Sequence, residues 1–347
     1  MKRLRMVTML LATAVTSIMA QLAAAQPASV RIGQAVPTMS FLPILAARAL
    51  GSFDAQQLKL EFTLIRGGDP AALAALDSGN IDFAAVGSDT VLAAIAKGQP
   101  FELVYSLMSQ VTLDLVVSND FLKRMHVSPG DPLQQRIKAL KGATIGVSAV
   151  GGAQDRAVRW LVAKGGLDRQ HDVKIALIGP PPAIQAALDH GQIDGYMLSP
   201  PEGTLSEQAG TGKTFIRLGS EFPQLANVPY LVLVAKMPLE GKERDLAVAT
   251  ARALQAASKS VQGDSARASE EIRRQFYPKV AADVVKSAIL AMSPGMRDGG
   301  RMTTAGIAQV LEFTVESGET LAKPLDPAPG PRAFWTDDIV DAAAGKK

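Results

Sequence analysis

Short apolar or alternating runs and stretches of helical spacing take turns along this chain, and the pattern occurs twice. Val30–Gln34, Leu58–Ile65, Ile81–Val86 and Phe101–Ser106 have the character of strands. Ser40 opens a helix running to about Leu50, with Pro43 in its first turn and Gly51 at its end. Gly67-Gly68-Asp69-Pro70 turns into a short helix over Ala71–Asp77, and Ser88 or Asp89 caps another that ends at Gly98. The order then recurs. Ala143–Val147 predicts a strand, Gly151-Gly152 a turn and Ala153–Lys164 a helix stopped by Gly165-Gly166. A strand at Val173–Ile178, a helix opened by Pro180-Pro181-Pro182 and a strand at Asp194–Leu198 complete the repeat.

The duplication is visible in the letters themselves. DPAALAALDSGNIDFAAVGSD at 69–89 matches PPAIQAALDHGQIDGYMLSPP at 181–201, with Leu76, Gly79, Ile81 and Asp82 meeting Leu188, Gly191, Ile193 and Asp194. Ile32-Gly33 likewise corresponds to Ile145-Gly146. Alternating strands and helices predict an α/β fold of two lobes, each a mostly parallel sheet flanked by helices. Two apolar extended stretches, Thr112–Val117 and Val228–Ala235, are expected to cross between the lobes as hinge strands. Lobe 1 is expected over 26–115 and lobe 2 over 116–228, with 229–347 returning to pack helices on lobe 1. Those helices are predicted at Lys242–Ser260, Ser269–Phe276, Ala281–Met292 and Thr303–Glu316, followed by a Pro-rich loop at Pro324–Pro331 and a docking segment at Phe334–Ala344.

Residues 1–25 read as a cleaved export signal: Lys2, Arg3 and Arg5, an apolar stretch from Met6 to Met19, then Ala23-Ala24-Ala25 before a start near Gln26. The stretch is interrupted by Thr8, Thr13, Thr16 and Ser17, which argues against a membrane anchor. The formal charge of +3 for the whole chain falls to zero without the three basic residues of this segment. A balanced charge gives no support to nucleic-acid binding. The chain has no cysteine, which removes disulfides and thiolate metal sites. A free, monomeric protein of the periplasm is the expected product.

In an open α/β sheet, ligands sit beyond the carboxyl ends of the strands, where helix starts present unpaired N–H groups to an anion. Four such turns carry small polar residues. They supply the candidate binding residues Met39, Ser40 and Phe41; Gly87, Ser88 and Asp89; Ser148, Gly151 and Gly152; and Ser199, Pro200 and Glu202. Any one of these turns is better explained by helix capping alone; their recurrence in both halves is what points to a shared cleft. Glu202 either contacts ligand or opposite lobe, or simply favours a helix start. Asp82 and Asp194 read as turn caps, and Arg156 as part of a solvated helical face unless an anionic ligand meets it.

Enzyme signatures break down residue by residue. Gly210-Thr211-Gly212-Lys213-Thr214 has Glu207 where a phosphate loop needs glycine, and Gly146-Val147-Ser148-Ala149-Val150 has Val150 where a nucleophile elbow closes on glycine. His126, His171 and His190 lie outside the four turns and form no i,i+4 metal pair. No catalytic residue, metal or cofactor is therefore assigned. An enzyme using Glu202 or Asp89 as a base remains the rival from a different class.

Leu140-Lys141-Gly142-Ala143-Thr144-Ile145-Gly146-Val147, Gly165-Gly166-Leu167-Asp168, Asp172-Val173 and the repeated Ala-Leu-x-x-Gly-x-Ile-Asp resemble the nitrate/sulfonate/taurine family of ABC-transporter substrate-binding proteins. The resemblance runs from about Val30 to about Ala343. It implies the two-lobed periplasmic binding protein fold, ligand-facing turns around Ser40, Ser88, Ser148 to Gly152 and Ser199 to Glu202, and delivery of a small organic anion, sulfonate- or carboxylate-type, to an ABC permease. The Ser199-Pro200-Pro201-Glu202 turn matches no one ligand class of that family. A signalling role at a membrane receptor, or binding of a thiamine-precursor pyrimidine, are the alternatives on the same fold. Related pyrimidine-synthesising enzymes need a Cys-rich iron motif, which this chain lacks.

Overall fold

The structure is a computed structural model and describes residues 27–296, 299–330 and 333–346. The predicted signal segment and the start near Gln26 lie outside the described residues. The first lobe contains β1 (Ala28–Gln34), α1 (Leu42–Ala49), β2 (Leu58–Leu64), α2 (Gly68–Asp77), β3 (Phe83–Gly87), α3 (Ser88–Ala96) and β4 (Phe101–Met108). The second contains β5 (Asp114–Ser118), α4 (Asn119–Met125), α5 (Leu133–Lys138), β6 (Thr144–Val147), α6 (Ala153–Lys164), β7 (Lys174–Leu177), α7 (Pro181–Asp189), β8 (Gly195–Leu198), α8 (Glu202–Ala209), β9 (Gly212–Arg217) and α9 (Leu218–Glu221). Then come β10 (Leu231–Lys236), α10 (Gly241–Gly263), α11 (Ser265–Phe276), α12 (Ala282–Met292), α13 (Thr304–Glu316) and α14 (Asp338–Ala343).

The two sheets have the orders β2-β1-β3-β10-β4 and β7-β6-β8-β5-β9. They are two copies of one plan: three parallel strands, then one antiparallel strand donated by the crossover, then a fifth. Both predicted hinge stretches thus end as central strands, β5 and β10, rather than as free straps. The expected boundary between 115 and 116 falls inside β5. Between the sheets the two crossings are themselves hydrogen-bonded, Val111 N–H to the Leu225 carbonyl at 3.0 Å and Val228 N–H to that of Ser109 at 2.9 Å.

Packing explains the repeated letters. A Cβ on Gly33 would stand 2.6 Å from Ile81 Cδ1, and one on Gly146 would stand 2.7 Å from Ile193 Cδ1. The repeated Gly and Ile are one contact made twice, an isoleucine seated on the bare backbone of the neighbouring strand. The repeated aspartates do similar work. Asp82 accepts from Arg31 N–H at 2.7 Å, and Asp194 from Thr144 N–H at 2.8 Å. Each ties its strand to the parallel neighbour, so the pair clamps strands and does not merely cap turns.

A continuous apolar core runs from the first sheet through the crossings to Trp160 of α6. Trp160 packs on Phe222, ring centroids 4.8 Å apart, and on Phe313 of α13 at 5.4 Å. Its indole N–H donates to Glu316 at 2.8 Å. Consequently α13 touches α6 of the second lobe as well as α3 of the first, although the pattern of the sequence had it packing on lobe 1 alone. The sequence pattern gives no strand at β9, because Gly212 and Lys213 dilute its apolar run. The terminal segment docks differently from a long helix. Leu103 N–H of β4 donates to the Phe334 carbonyl at 2.9 Å, and only Asp338–Ala343 is helical.

Candidate functional site

The carboxyl ends of β1 and β6 face each other, and the turns that follow them meet across the lobe boundary. Thr38 caps the turn at Met39–Phe41, which leads into α1, and Ser40 projects from it toward the second lobe. Ser40 Oγ is hydrogen-bonded to Ser199 Oγ, which follows β8. Thr112, on the crossing before β5, places its Oγ1 3.1 Å from both. Three hydroxyls from lobe 1, lobe 2 and the crossing thereby close a ring, each able to donate to the next. Beside them lies a cavity of about 30 Å³, lined by Ser40, Phe41, Asp69, Ser148, Gln154 and Tyr230 among others. A buried water needs roughly 10–15 Å³ on this measure, so a larger guest must widen the cleft.

Of the residues expected from sequence, Ser40, Phe41, Ser148, Gly152 and Ser199 line this cavity. Met39 is buried and does not line it, and Gly151 N–H is taken up by Asp155 at 2.7 Å. Pro200 does not reach the cavity wall. Ser88 turns away: its N–H and its hydroxyl both donate to the Tyr230 carbonyl, at 3.0 and 3.2 Å. Gly87 lies against the start of α6, where a Cβ would meet Ala153 Cβ at 3.2 Å. Glu202 is also off the cavity. It is buried with Oε2 lacking a hydrogen-bond partner among the described residues, and burial pushes its carboxyl up to about 7.

Asp89 enters a buried charge cluster instead of the cavity. Arg156 reaches over from α6, its Nε 3.1 Å from Asp89 Oδ2 and its Nη1 2.9 Å from Glu319. The solvated helical face expected of Arg156 is thus corrected: the residue is 8% exposed because the first lobe covers the start of α6. Asp69, missed as a site residue because its Gly-Gly-Asp-Pro setting signals a turn, sits between cluster and cavity. It accepts from Gly87 N–H at 3.3 Å and from the Thr90 hydroxyl at 3.4 Å. Burial, then the charge of Asp89, raises its carboxyl to about 7, against the pull of N–H donors at Gly87 and Ala153. Ala153 begins α6, so a carboxyl of the chain itself already stands at that helix start.

The lobes touch at Gly68, where φ is +74° and a Cβ would come within 2.7 Å of Ala149 Cβ. Gly68→Val is expected to prop the cleft open and raise the radius of gyration in small-angle X-ray scattering. Gly79→Ala is the control, because Gly79 shares the +74° φ but has nothing within 4 Å. Both variants carry the backbone strain of about 1–3 kcal/mol. Only Gly68→Val is expected to change the scattering; equal profiles would show that the contact does not set the lobe spacing.

A model of the NMT1-like family matches residues 23–274. YtlA of Bacillus subtilis (strain 168) is 22% identical over 261 residues, which span 75% of this chain and 74% of YtlA. The structure of a protein from Bordetella bronchiseptica RB50 superposes with a TM-score of 0.75 at 25% identity, covering 92% of this chain and 98% of the other. The alkanesulfonate-binding protein SsuA of Xanthomonas axonopodis pv. citri, bound to MOPS, gives 0.65 at 20% identity, covering 86% and 98%. The fold is therefore the two-lobed α/β fold of periplasmic binding proteins. With most of its length matched by the family model, and with both lobes and the cleft turns in place, the chain belongs to the NMT1-like family.

Proposed function

We propose that the chain is a binding protein rather than an enzyme: the substrate-binding component of an ABC-type importer, capturing a small organic anion between its lobes. The observation that carries this is the convergence of Ser40, Ser148 and Ser199, from turns far apart in sequence, on one interlobe cavity. Hydroxyls at helix starts hold a sulfonate or carboxylate by charge-assisted hydrogen bonds, without a full ion pair. Binding then works by exchange: the guest opens the Ser40–Thr112–Ser199 ring, and its oxygens accept the hydroxyls released. Lobes closed on a guest present a different outer face from open ones, which a permease can select. Export by the signal segment puts the protein in the periplasm, acting as a monomer, and the two sheets mark its lobes.

Asp69 favours a second reading. A carboxyl on the cavity wall is an acceptor for an amino or ring N–H, so a thiamine-precursor-type aminopyrimidine fits that side better than an anion does. Thermal-shift and native mass spectrometry on ethanesulfonate, butyrate and 4-aminopyrimidine separate the two. A ligand at about a hundred times its Kd adds about 2.7 kcal/mol of stability. Stabilisation by the first two supports the anion reading, stabilisation by the third alone supports the pyrimidine, and no response to any of them overturns the function proposed.

A further inference from the structure

Most polar atoms around the cavity are already committed. The three hydroxyls of the ring satisfy one another, Ser148 N–H donates to Gln154 Oε1 at 2.7 Å, Gly151 N–H donates to Asp155, and Asp69 takes several donors. Three side-chain groups on the cavity wall remain unspent among the described residues: Ser148 Oγ, buried without a partner, Gln154 Nε2, whose residue is 8% exposed and bonds through Oε1 alone, and the buried Tyr230 hydroxyl. Gln154 lies in the first turn of α6 and lines the cavity.

The orientation of that amide is not free. The Ser148 N–H can only donate, so the atom it meets must be the carbonyl oxygen, and the NH₂ group must take the other position. An exchange of the two ends would set N–H against N–H. The turn after β6 therefore fixes a donor group at the start of α6, beside an unspent hydroxyl and on the positive end of the helix dipole.

We propose that Gln154 is the specificity-determining donor of the cleft, reading an oxyanion or other acceptor oxygen of the ligand together with Ser148 Oγ. The inference rests on the cleft reading above and sharpens it. The end of the ligand facing α6 carries acceptors, while an N–H-bearing end is matched only on the side of Asp69. The hydroxyl ring then contributes closure, and the Ser148–Gln154 pair contributes selection.

The test compares wild type, Gln154→Glu and Gln154→Met by isothermal titration with ethanesulfonate and 4-aminopyrimidine, with melting temperatures recorded alongside. Glu keeps an oxygen for Ser148 N–H but replaces the donor with an acceptor; Met keeps the length and supplies neither. The expected result is an ethanesulfonate affinity about a hundredfold weaker in Gln154→Glu and roughly ten- to a hundredfold weaker in Gln154→Met, with 4-aminopyrimidine changed by much less. Unchanged ethanesulfonate affinity in both variants overturns the inference. Parallel loss of both probes with a lowered melting temperature also overturns it, assigning Gln154 a purely structural role. Wild type that binds only 4-aminopyrimidine overturns the acceptor assignment and leaves the cleft standing. Wild type that binds neither probe overturns the cleft reading, and the inference falls with it.

Discussion

Arg156→Met is expected to cost about 3–5 kcal/mol of unfolding free energy, the penalty for leaving a buried charge without its partner. Asp89 is buried, and burial raises its carboxyl above the usual range; Arg156 is the cation that opposes that rise and favours the charged form. Methionine fills the space of the arginine stem but leaves Asp89 beside Asp69, two buried acids without the cation that offsets them. Urea denaturation should show the midpoint falling. Arg156→Met combined with Asp89→Asn should recover much of the loss, since the amide needs no counter-charge. A coupling below about 0.5 kcal/mol in that double-mutant cycle would mean the pair is not the cause.

The same variant has a mechanical consequence. Arg156 belongs to the second lobe, Asp89 to the first, and Glu319 to the segment after α13. Around them Lys164 pairs with Glu316 at 2.7 Å, and Arg169 donates to the Glu316 carbonyl at 2.7 Å. One flank of α6 is thus fastened to α13 by charges and by Trp160, while its N-terminal end lines the cleft. Loosening Arg156 frees the lobes at the edge nearest the cavity.

Glu202→Gln is expected to stabilise the protein by roughly 3 kcal/mol at pH 8.5 and to change nothing at pH 3.5. Burial raises this carboxyl from 4.5 to about 7 in the folded chain, so folding favours its protonated form. The sign follows. Below the unfolded value both states hold the proton and no penalty exists. As pH rises from about 4.5 to about 7 the unfolded chain releases it first, and stability falls across that window. Above about 7 the penalty is constant. Asp69 and Asp114 are likewise raised to about 7 by burial, so the wild type should be more stable near pH 5 than near pH 8. Chemical denaturation of wild type and variant at several pH values checks this. Equal stabilities at pH 8.5 would show that Glu202 finds a compensating partner in solution.

That a chain retains such a costly carboxyl at the first turn of α8, three residues after the ring hydroxyl Ser199, connects stability with the cleft. The sequence puts Glu202 at the rim of the site; in the structure it is buried off the cavity wall, with its backbone carbonyl accepting from Tyr196 at 2.9 Å.

The repeat carried the architecture in plain view. Gly33 with Ile81, and Gly146 with Ile193, recur because each lobe repeats one strand–helix–strand unit, and the same contact within that unit repeats its letters at nearly the same spacing. The turn residues Ser40, Ser148 and Ser199 were legible for the same reason: a helix start after a parallel strand has a small vocabulary of side chains. What residues of different lobes do to one another leaves no such trace. Arg156 looks like any exposed helical arginine until the first lobe buries it against Asp89, and Asp69 looks like a turn former until α6 arrives at its carboxyl. Gln154 shows no signal at all, because its role depends on which way one amide faces across a turn. Backbone preferences are written residue by residue, whereas burial and charge pairing exist only once the two lobes have met.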